Sequence, residues 1–150
     1  MQSRNVVEIA DRNSRVRAYV MAAAGLAFLL IHVVFRSYVG MGPETADVLT
    51  RRVMWVVNVV VLLLGLSTGG GLLNNREIRA LVNDEVSQGN YRTSVILGFW
   101  VAMGTALLLY AFPNVLAYIG GDAIYNTVTF SVAAAVLKFA YLELRAHRDA

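Results

Sequence analysis

Cysteine is absent from the 150-residue chain, and charged residues are few. Without cysteine there is no disulfide framework, thiol redox chemistry or thiolate metal site, which excludes the four-helix disulfide oxidases that transfer electrons to quinones. Charged residues make up 15% of the sequence, whereas a soluble domain carries about 25%. Hydrophobic residues make up 57%. This balance predicts a membrane protein rather than a soluble domain.

The hydrophobic residues gather in four segments of membrane-spanning length. An α-helix rises about 1.5 Å per residue, so roughly 20 residues cross the hydrocarbon core of a bilayer. Pro113 is expected to close the third segment. The first has no small-residue cleavage site after it, so we expect a retained helix rather than a secretory signal. We predict an all-α integral membrane bundle, a single domain whose transmembrane helices lie at residues 18–36, 53–73, 94–112 and 124–144.

The distribution of arginine predicts the orientation, because short cytoplasmic segments retain Lys and Arg. Nine arginines lie in the N-terminal segment, the central polar stretch and the C-terminal tail, against three on the other side, at the end of the first span and just before the second. Both termini and the central stretch are therefore expected in the cytoplasm, in the cytoplasmic (inner) membrane of a bacterium. Residues 1–17 allow either a short amphipathic helix on the membrane surface or a frayed tail whose arginines anchor the topology.

The central polar stretch, residues 74–93, is the longest polar interval of the chain. Apolar residues recur with helical spacing within it, which predicts a short amphipathic cytoplasmic helix over residues 77–88 that ends at Gly89 and Asn90. Charged side chains occupy its other faces. The expected partner-binding residues are Arg76, Glu77, Arg79, Asp84 and Glu85.

Three polar residues interrupt the predicted spans. His32 is either a hydrogen-bonded interfacial histidine or a proton relay, metal or haem ligand, and Asn58 is expected to hydrogen-bond between helices. Lys138 either extends its long stem to the membrane surface or faces a cavity. Glu143 and His147 stand four residues apart and are expected to form a surface pair.

Small residues predict where the helices approach closely. Gly25 stands among alanines in the first span, and Gly98 and Ala102 form a small-x-x-x-small pair in the third. The glycines at residues 69–71 allow either a bend that redirects the chain or an exposed-backbone site for an ion or solute.

No catalytic, cofactor-binding or metal-binding residues are predicted. The glycines at 69–71 lack the spacing and the lysine of a phosphate-binding loop. Asp84 and Glu85 are adjacent on the predicted helix and point about 100° apart, so they cannot share one metal ion unaided. Small multidrug antiporters carry a membrane carboxylate in their first helix, and the first span here has none.

The run NDEVSQGNYR followed by GFW resembles a loop of small, uncharacterised four-helix integral membrane proteins of bacteria. The resemblance covers Leu73 to Trp100, about a fifth of the chain. Some of those proteins are encoded beside small helix-turn-helix regulators, so the resemblance implies a membrane partner that holds such a regulator. It implies no catalytic residues.

The function predicted from the sequence is therefore non-enzymatic. We expect a membrane protein, in contact with lipid, that works as a homo-oligomer or as a subunit of a larger complex. A cytoplasmic protein is its expected partner, with no direct contact to nucleic acid. The alternative is a small-solute or ion transporter, which requires His32, Asn58 and Lys138 to face one interior cavity.

Overall fold

The computed structural model describes residues 2–38, 46–68, 85–112, 114 and 123–148. Within these ranges the chain forms four long α-helices: α1 (Gln2–Tyr38), α2 (Ala46–Ser67), α3 (Glu85–Ala111) and α4 (Ala123–Arg148). The all-α prediction is confirmed. Three helices are long and apolar enough to cross a membrane, over Arg12–His32, Ser87–Ala111 and Ala123–Ala146. The corresponding section of α2, Arg52–Ser67, is shorter.

Helix α1 is longer than predicted, because residues 2–17 continue directly into the first apolar segment. Its 37 residues extend about 55 Å. No glycine or proline precedes Gly25, so nothing in the sequence interrupts the helix. Residues 2–17 are therefore neither a separate surface helix nor a frayed tail.

The expected helix end at Gly89 and Asn90 is wrong. Helix α3 begins at Glu85 and runs without interruption to Ala111. A glycine within a helix costs about 1 kcal/mol, and contacts with other helices can outweigh that preference. Here Asn90 donates a hydrogen bond to Glu143 of α4, which holds this turn against its neighbour. The other end agrees with the prediction, since α3 stops two residues before Pro113.

Helix α2 ends at Ser67, earlier than the predicted boundary at residue 73. The hydroxyls of Ser67 and Thr68 both donate to the carbonyl oxygen of Leu64, at 3.0 and 2.7 Å. The same carbonyl also accepts from the backbone amide of Thr68 at 3.0 Å, so both hydroxyls bond back to the last turn of the helix. The following glycines, and most of the central polar stretch, lie outside the described residues.

Helix α4 lies at the centre of the arrangement and is antiparallel to α1 and α3. Near its C-terminal end Glu143 contacts Arg17 of α1 and Asn90 of α3. Near its start, Tyr125 stacks on His32, which is fifteen residues after Arg17. Helix α2 runs antiparallel to α1, since Gly65 lies against Met21 while Trp55 stacks on Tyr125. The start of α3 and the end of α4 thus lie at one end of the bundle, beside the middle of α1, which extends about 22 Å beyond Arg17.

The apolar core is narrow, and much of the outer surface is hydrophobic. The buried core takes residues from α1, α2 and α4, including Phe28, Leu62 and Phe139. Large apolar side chains on α3 point outward, with Tyr110 88% and Leu107 67% exposed. A soluble monomer rarely exposes so large a contiguous apolar surface, whereas a surface in contact with lipid tails does so without cost.

Close helix approach at Gly25 and Gly98 is confirmed. A Cβ on Gly98 would lie 2.9 Å from the Cβ of Ala135 and 3.0 Å from the carbonyl oxygen of Ser131, so only glycine allows α3 to contact α4 at this distance. A Cβ on Gly25 would lie 3.1 Å from side-chain atoms of α4. Gly104 differs from both, because nothing lies within 4 Å of its Cβ position.

Candidate functional site

A buried polar network joins three helices at the end of the bundle where α3 begins and α4 ends, beside the middle of α1. Its centre is Glu143, which is 5% exposed. One carboxylate oxygen of Glu143, Oε2, accepts from the guanidinium of Arg17, and the other, Oε1, accepts from the amide of Asn90 at 3.1 Å. Ser14 donates to Oε2 at 3.5 Å, and Arg17 also donates to the hydroxyl of Ser87 at 3.2 Å. We call these five residues the polar end.

Local sequence positions these side chains. Ser87 and Asn90 are three residues apart on α3, so both lie on one face of that helix. Ser14 and Arg17 have the same spacing on α1. The two pairs face α4 from either side, and Glu143 lies between them. Arg17, Ser87 and Glu143 are buried, whereas Ser14 and Asn90 are half-buried at the edge of the site. Both carboxylate oxygens of Glu143 are hydrogen-bonded, and Nε of Arg17 makes no hydrogen bond to the described residues.

Arg17 makes a further contact with the core. Its guanidinium carbon lies 5.7 Å from the ring centroid of Phe139, within the range of a cation–π interaction. The ring is fully buried, so Arg17 lies between an apolar core residue and the carboxylate of Glu143. A buried ion pair adds little net stability, but removal of one partner leaves an uncompensated charge. The polar end therefore fixes how α1, α3 and α4 are placed relative to one another.

The expected surface pair between Glu143 and His147 is wrong for Glu143. The residue is buried, and its carboxylate binds α1 and α3 instead. Sequence reasoning assigned Arg17 to a topology anchor and Asn90 to a helix end, and so missed the network. One signal was present: Glu143 is the only acidic residue in the fourth apolar segment. A lone carboxylate there requires a partner, although the sequence does not say which cation supplies it.

The predicted partner-binding residues adjoin this network in sequence. Arg76, Glu77, Arg79 and Asp84 lie outside the described residues, as does the side chain of Glu85. The backbone of Glu85 forms the first residue of α3, two positions before Ser87. The central polar stretch thus joins α3 directly beside the polar end.

His32 lies at the opposite end of the bundle, which we call the aromatic end, together with Trp55, Tyr125, Thr129 and Phe130. The His32 ring is buried, and its centroid lies 4.7 Å from that of Tyr125 and 5.9 Å from that of Phe130. Trp55 packs against Tyr125, with their ring centroids 4.8 Å apart. The Nε1 of Trp55 donates a hydrogen bond to the hydroxyl of Thr129 at 3.1 Å. The group joins α1, α2 and α4 by ring packing and one hydrogen bond.

Asn58 and Lys138 are both separated from His32. Asn58 lies on an exposed face of α2. Lys138 is half-buried on α4, with its Nζ 5.5 Å from the ring centroid of Tyr141 on the same helix. Tyr125, which contacts His32, is thirteen residues before Lys138, about 20 Å along the helix axis. The described part of a single chain therefore does not bring the three side chains of the transport alternative together.

An open groove of about 440 Å³ lies between the second half of α3 and the first half of α4. Its lining is mainly apolar, with Thr105 and the buried Asn126 as polar exceptions. Among the described residues, no three His, Asp or Glu side chains converge as a metal site requires. Among the described residues, the polar end is therefore the candidate site in which several polar and charged side chains contact one another.

No protein-family model, curated protein or solved structure matches the chain.

Proposed function

We propose that the chain is an integral membrane protein with four spanning helices and with both termini in the cytoplasm of a bacterium. Support comes from the antiparallel contact of α1 with α4, which places Arg17, before the apolar part of α1, beside Glu143 near the end of α4. An even number of spans puts these two residues on the same side of a membrane. Nine arginines lie in the N-terminal segment, the central polar stretch and the C-terminal tail, the segments that the proposal assigns to the cytoplasm.

The proposed activity is protein docking without catalysis. The central polar stretch serves as the surface for a soluble cytoplasmic protein, with Arg79, Asp84 and Glu85 setting specificity and orientation. The observation that supports this most strongly is the polar end, because it fastens the start of α3 to α1 and α4 through Asn90 and Ser87. A fixed helix start at Glu85 gives the backbone that adjoins the stretch less conformational entropy to lose when a partner binds.

The proposed partner class is a small soluble regulator, which the protein would hold at the membrane. This part of the proposal depends on the resemblance of the stretch around NDEVSQGNYR to bacterial four-helix membrane proteins. The charges in the stretch have both signs, so a partner with a matching pattern would be oriented as well as attracted. Contact with nucleic acid would belong to the regulator, not to this chain.

Capture of a partner from native membranes tests the docking surface. Tagged wild-type protein is purified in mild detergent beside Asp84→Lys/Glu85→Lys, and the proteins captured by each are identified by mass spectrometry. We expect a cytoplasmic protein that binds the wild type and is lost from the double variant. The matched control is Glu8→Lys/Asp11→Lys, which changes the net charge equally on the same side and should retain the partner. Equal capture by all three proteins would contradict docking at this stretch.

The topology has a separate test, made simple by the absence of cysteine from the chain. Single cysteines replace three exposed residues, Arg12, Asn114 and Arg148, and intact cells are treated with a membrane-impermeant maleimide. We expect labelling of Asn114→Cys only, with the other two labelled after the cells are opened. Labelling of Arg148→Cys but not Arg12→Cys in intact cells would mean that α2 does not cross the membrane.

A further inference from the structure

Asn58 is a polar residue in an otherwise apolar outer face of α2. It is exposed, and among the described residues its side chain makes no hydrogen bond. It lies six residues after Arg52 and nine before Ser67, near the middle of the apolar section of the helix. Its neighbours one turn away on the same side, Met54 and Val61, are also exposed and apolar.

A bilayer cannot provide hydrogen-bond partners for the carboxamide of Asn58. Lipid tails offer no hydrogen-bonding groups, and a carboxamide left unpaired among them costs several kcal/mol. Six residues of helix separate Asn58 from Arg52, a distance of about 9 Å along the axis. An asparagine side chain is too short to reach the membrane surface over that distance, unlike lysine or arginine. The carboxamide therefore needs a protein partner at the same depth.

We propose that α2 is the contact surface between two copies of this chain, with the two Asn58 side chains hydrogen-bonded to each other. A carboxamide has both a donor and an acceptor, so it is complementary to itself. A two-fold axis along the membrane normal places the same residue of both copies at the same depth. A second copy thus supplies the group that Asn58 lacks. Any other membrane protein would have to match both its depth and its chemistry.

The packing of α2 within its own chain supports the same surface. Few side chains of α2 are buried within its own chain, among them Val59, Leu62 and Leu66, so the remaining faces are available.

Disulfide formation between single-cysteine variants maps the surface, since the chain has no cysteine of its own. Val61 and Val60 form a matched pair, adjacent in sequence and 58% and 47% exposed. Val61 lies one turn from Asn58 on the same side, whereas Val60 is turned about 200° from it. Purified Val61→Cys in liposomes should give disulfide-linked dimers on mild oxidation, at least fivefold more than Val60→Cys. Equal yields, or no dimer from either Val61→Cys or Met54→Cys, would overturn the proposal.

Energy transfer between donor- and acceptor-labelled copies tests the role of the amide. As the protein-to-lipid ratio is lowered, Asn58→Leu should dissociate at about a tenfold higher protein fraction than wild type, because two interhelical hydrogen bonds are lost. Asn58→Gln keeps a carboxamide and should remain close to wild type. If Asn58→Leu associates as strongly as wild type, or if wild type is monomeric at every ratio, lipid covers this surface and the inference is wrong.

The inference depends on the membrane insertion included in the proposed function, and one measurement separates the two. The same liposomes are extracted with alkaline carbonate, which removes proteins that are only bound to the surface. Extraction of the wild type would count against the membrane proposal. Resistance to extraction together with no energy transfer would count against the dimer alone.

Discussion

The two ends of the bundle are joined in different ways. At the polar end, α1, α3 and α4 are connected by the hydrogen bonds and the ion pair around Glu143. At the aromatic end, α1, α2 and α4 are connected by stacked rings of His32, Tyr125 and Trp55. Helices α1 and α4 contribute residues to both ends. Helix α3 contributes to the polar end, and α2 contributes to the aromatic end.

This difference makes the polar end the more rigidly placed part of the bundle and the aromatic end the more adaptable part. Hydrogen bonds to a buried carboxylate depend on distance and angle, so the polar end permits one placement of its three helices. Ring contacts tolerate several tilts and offsets at similar free energy. The end beside the proposed docking stretch is thus the more strictly defined one. The helix of the proposed dimer contact, α2, belongs to the other end.

The largest expected effect comes from a break in the polar end. Arg17→Leu leaves the Glu143 carboxylate buried without its cation and should lower the free energy of unfolding by about 3 to 5 kcal/mol. Denaturant titration in mixed micelles, followed by circular dichroism, measures the change. Arg12→Leu is the control, because it removes the same charge from an exposed position of the same helix and should change stability by no more than about 0.5 kcal/mol.

The double variant Arg17→Leu/Glu143→Leu distinguishes the cost of an unpaired buried charge from the role of the network in placing α3. It removes both charges, so no charge is left uncompensated, and it should recover most of the stability lost in Arg17→Leu. It should not recover partner capture if the placement of α3 matters for docking. A double variant as unstable as the single one would mean that the hydrogen bonds of Asn90 and Ser14, not the charges, stabilise this end.

A smaller effect is expected where α3 meets α4 between the two ends. Gly98→Ala introduces a Cβ about 2.9 Å from Ala135 and 3.0 Å from a backbone oxygen, so the helices must separate. We expect a loss of about 1 to 3 kcal/mol in the free energy of unfolding, as in other overpacked sites. The control is Gly104→Ala, six residues along the same helix with nothing within 4 Å, which should be neutral or slightly stabilising.

Much of this architecture is readable from the sequence, because length and hydropathy alone set the helices. The all-α class, the close approach at Gly98 and the helix stop before Pro113 follow from local rules that act on neighbouring residues. The helix boundaries were less accurate. Glycine and asparagine at residues 89–90 favour a helix end locally, but a contact 53 residues away, from Asn90 to Glu143, outweighs that preference.

The polar end was not predictable for the same reason. Arg17 and Glu143 are 126 residues apart, and each has a plausible local role, as a topology anchor and as part of a surface pair. Only the antiparallel contact of α1 with α4 brings them together. His32 is a similar case: the sequence left its environment open, and its aromatic neighbours come from α4.

The smallest expected effect tests whether the aromatic end depends on the hydrogen bond from Trp55 to Thr129. Trp55→Phe keeps a ring against Tyr125 but removes the Nε1 donor to Thr129. We expect a loss of about 1 kcal/mol in the free energy of unfolding, the usual net value of one hydrogen bond. Thr129→Val removes the acceptor with little change in shape, and a double-mutant cycle with Trp55→Phe should give a coupling of about 0.6 kcal/mol. A coupling as large as the loss expected for Arg17→Leu would show that this end, too, is fixed by a directional contact, and the contrast between the two ends would disappear.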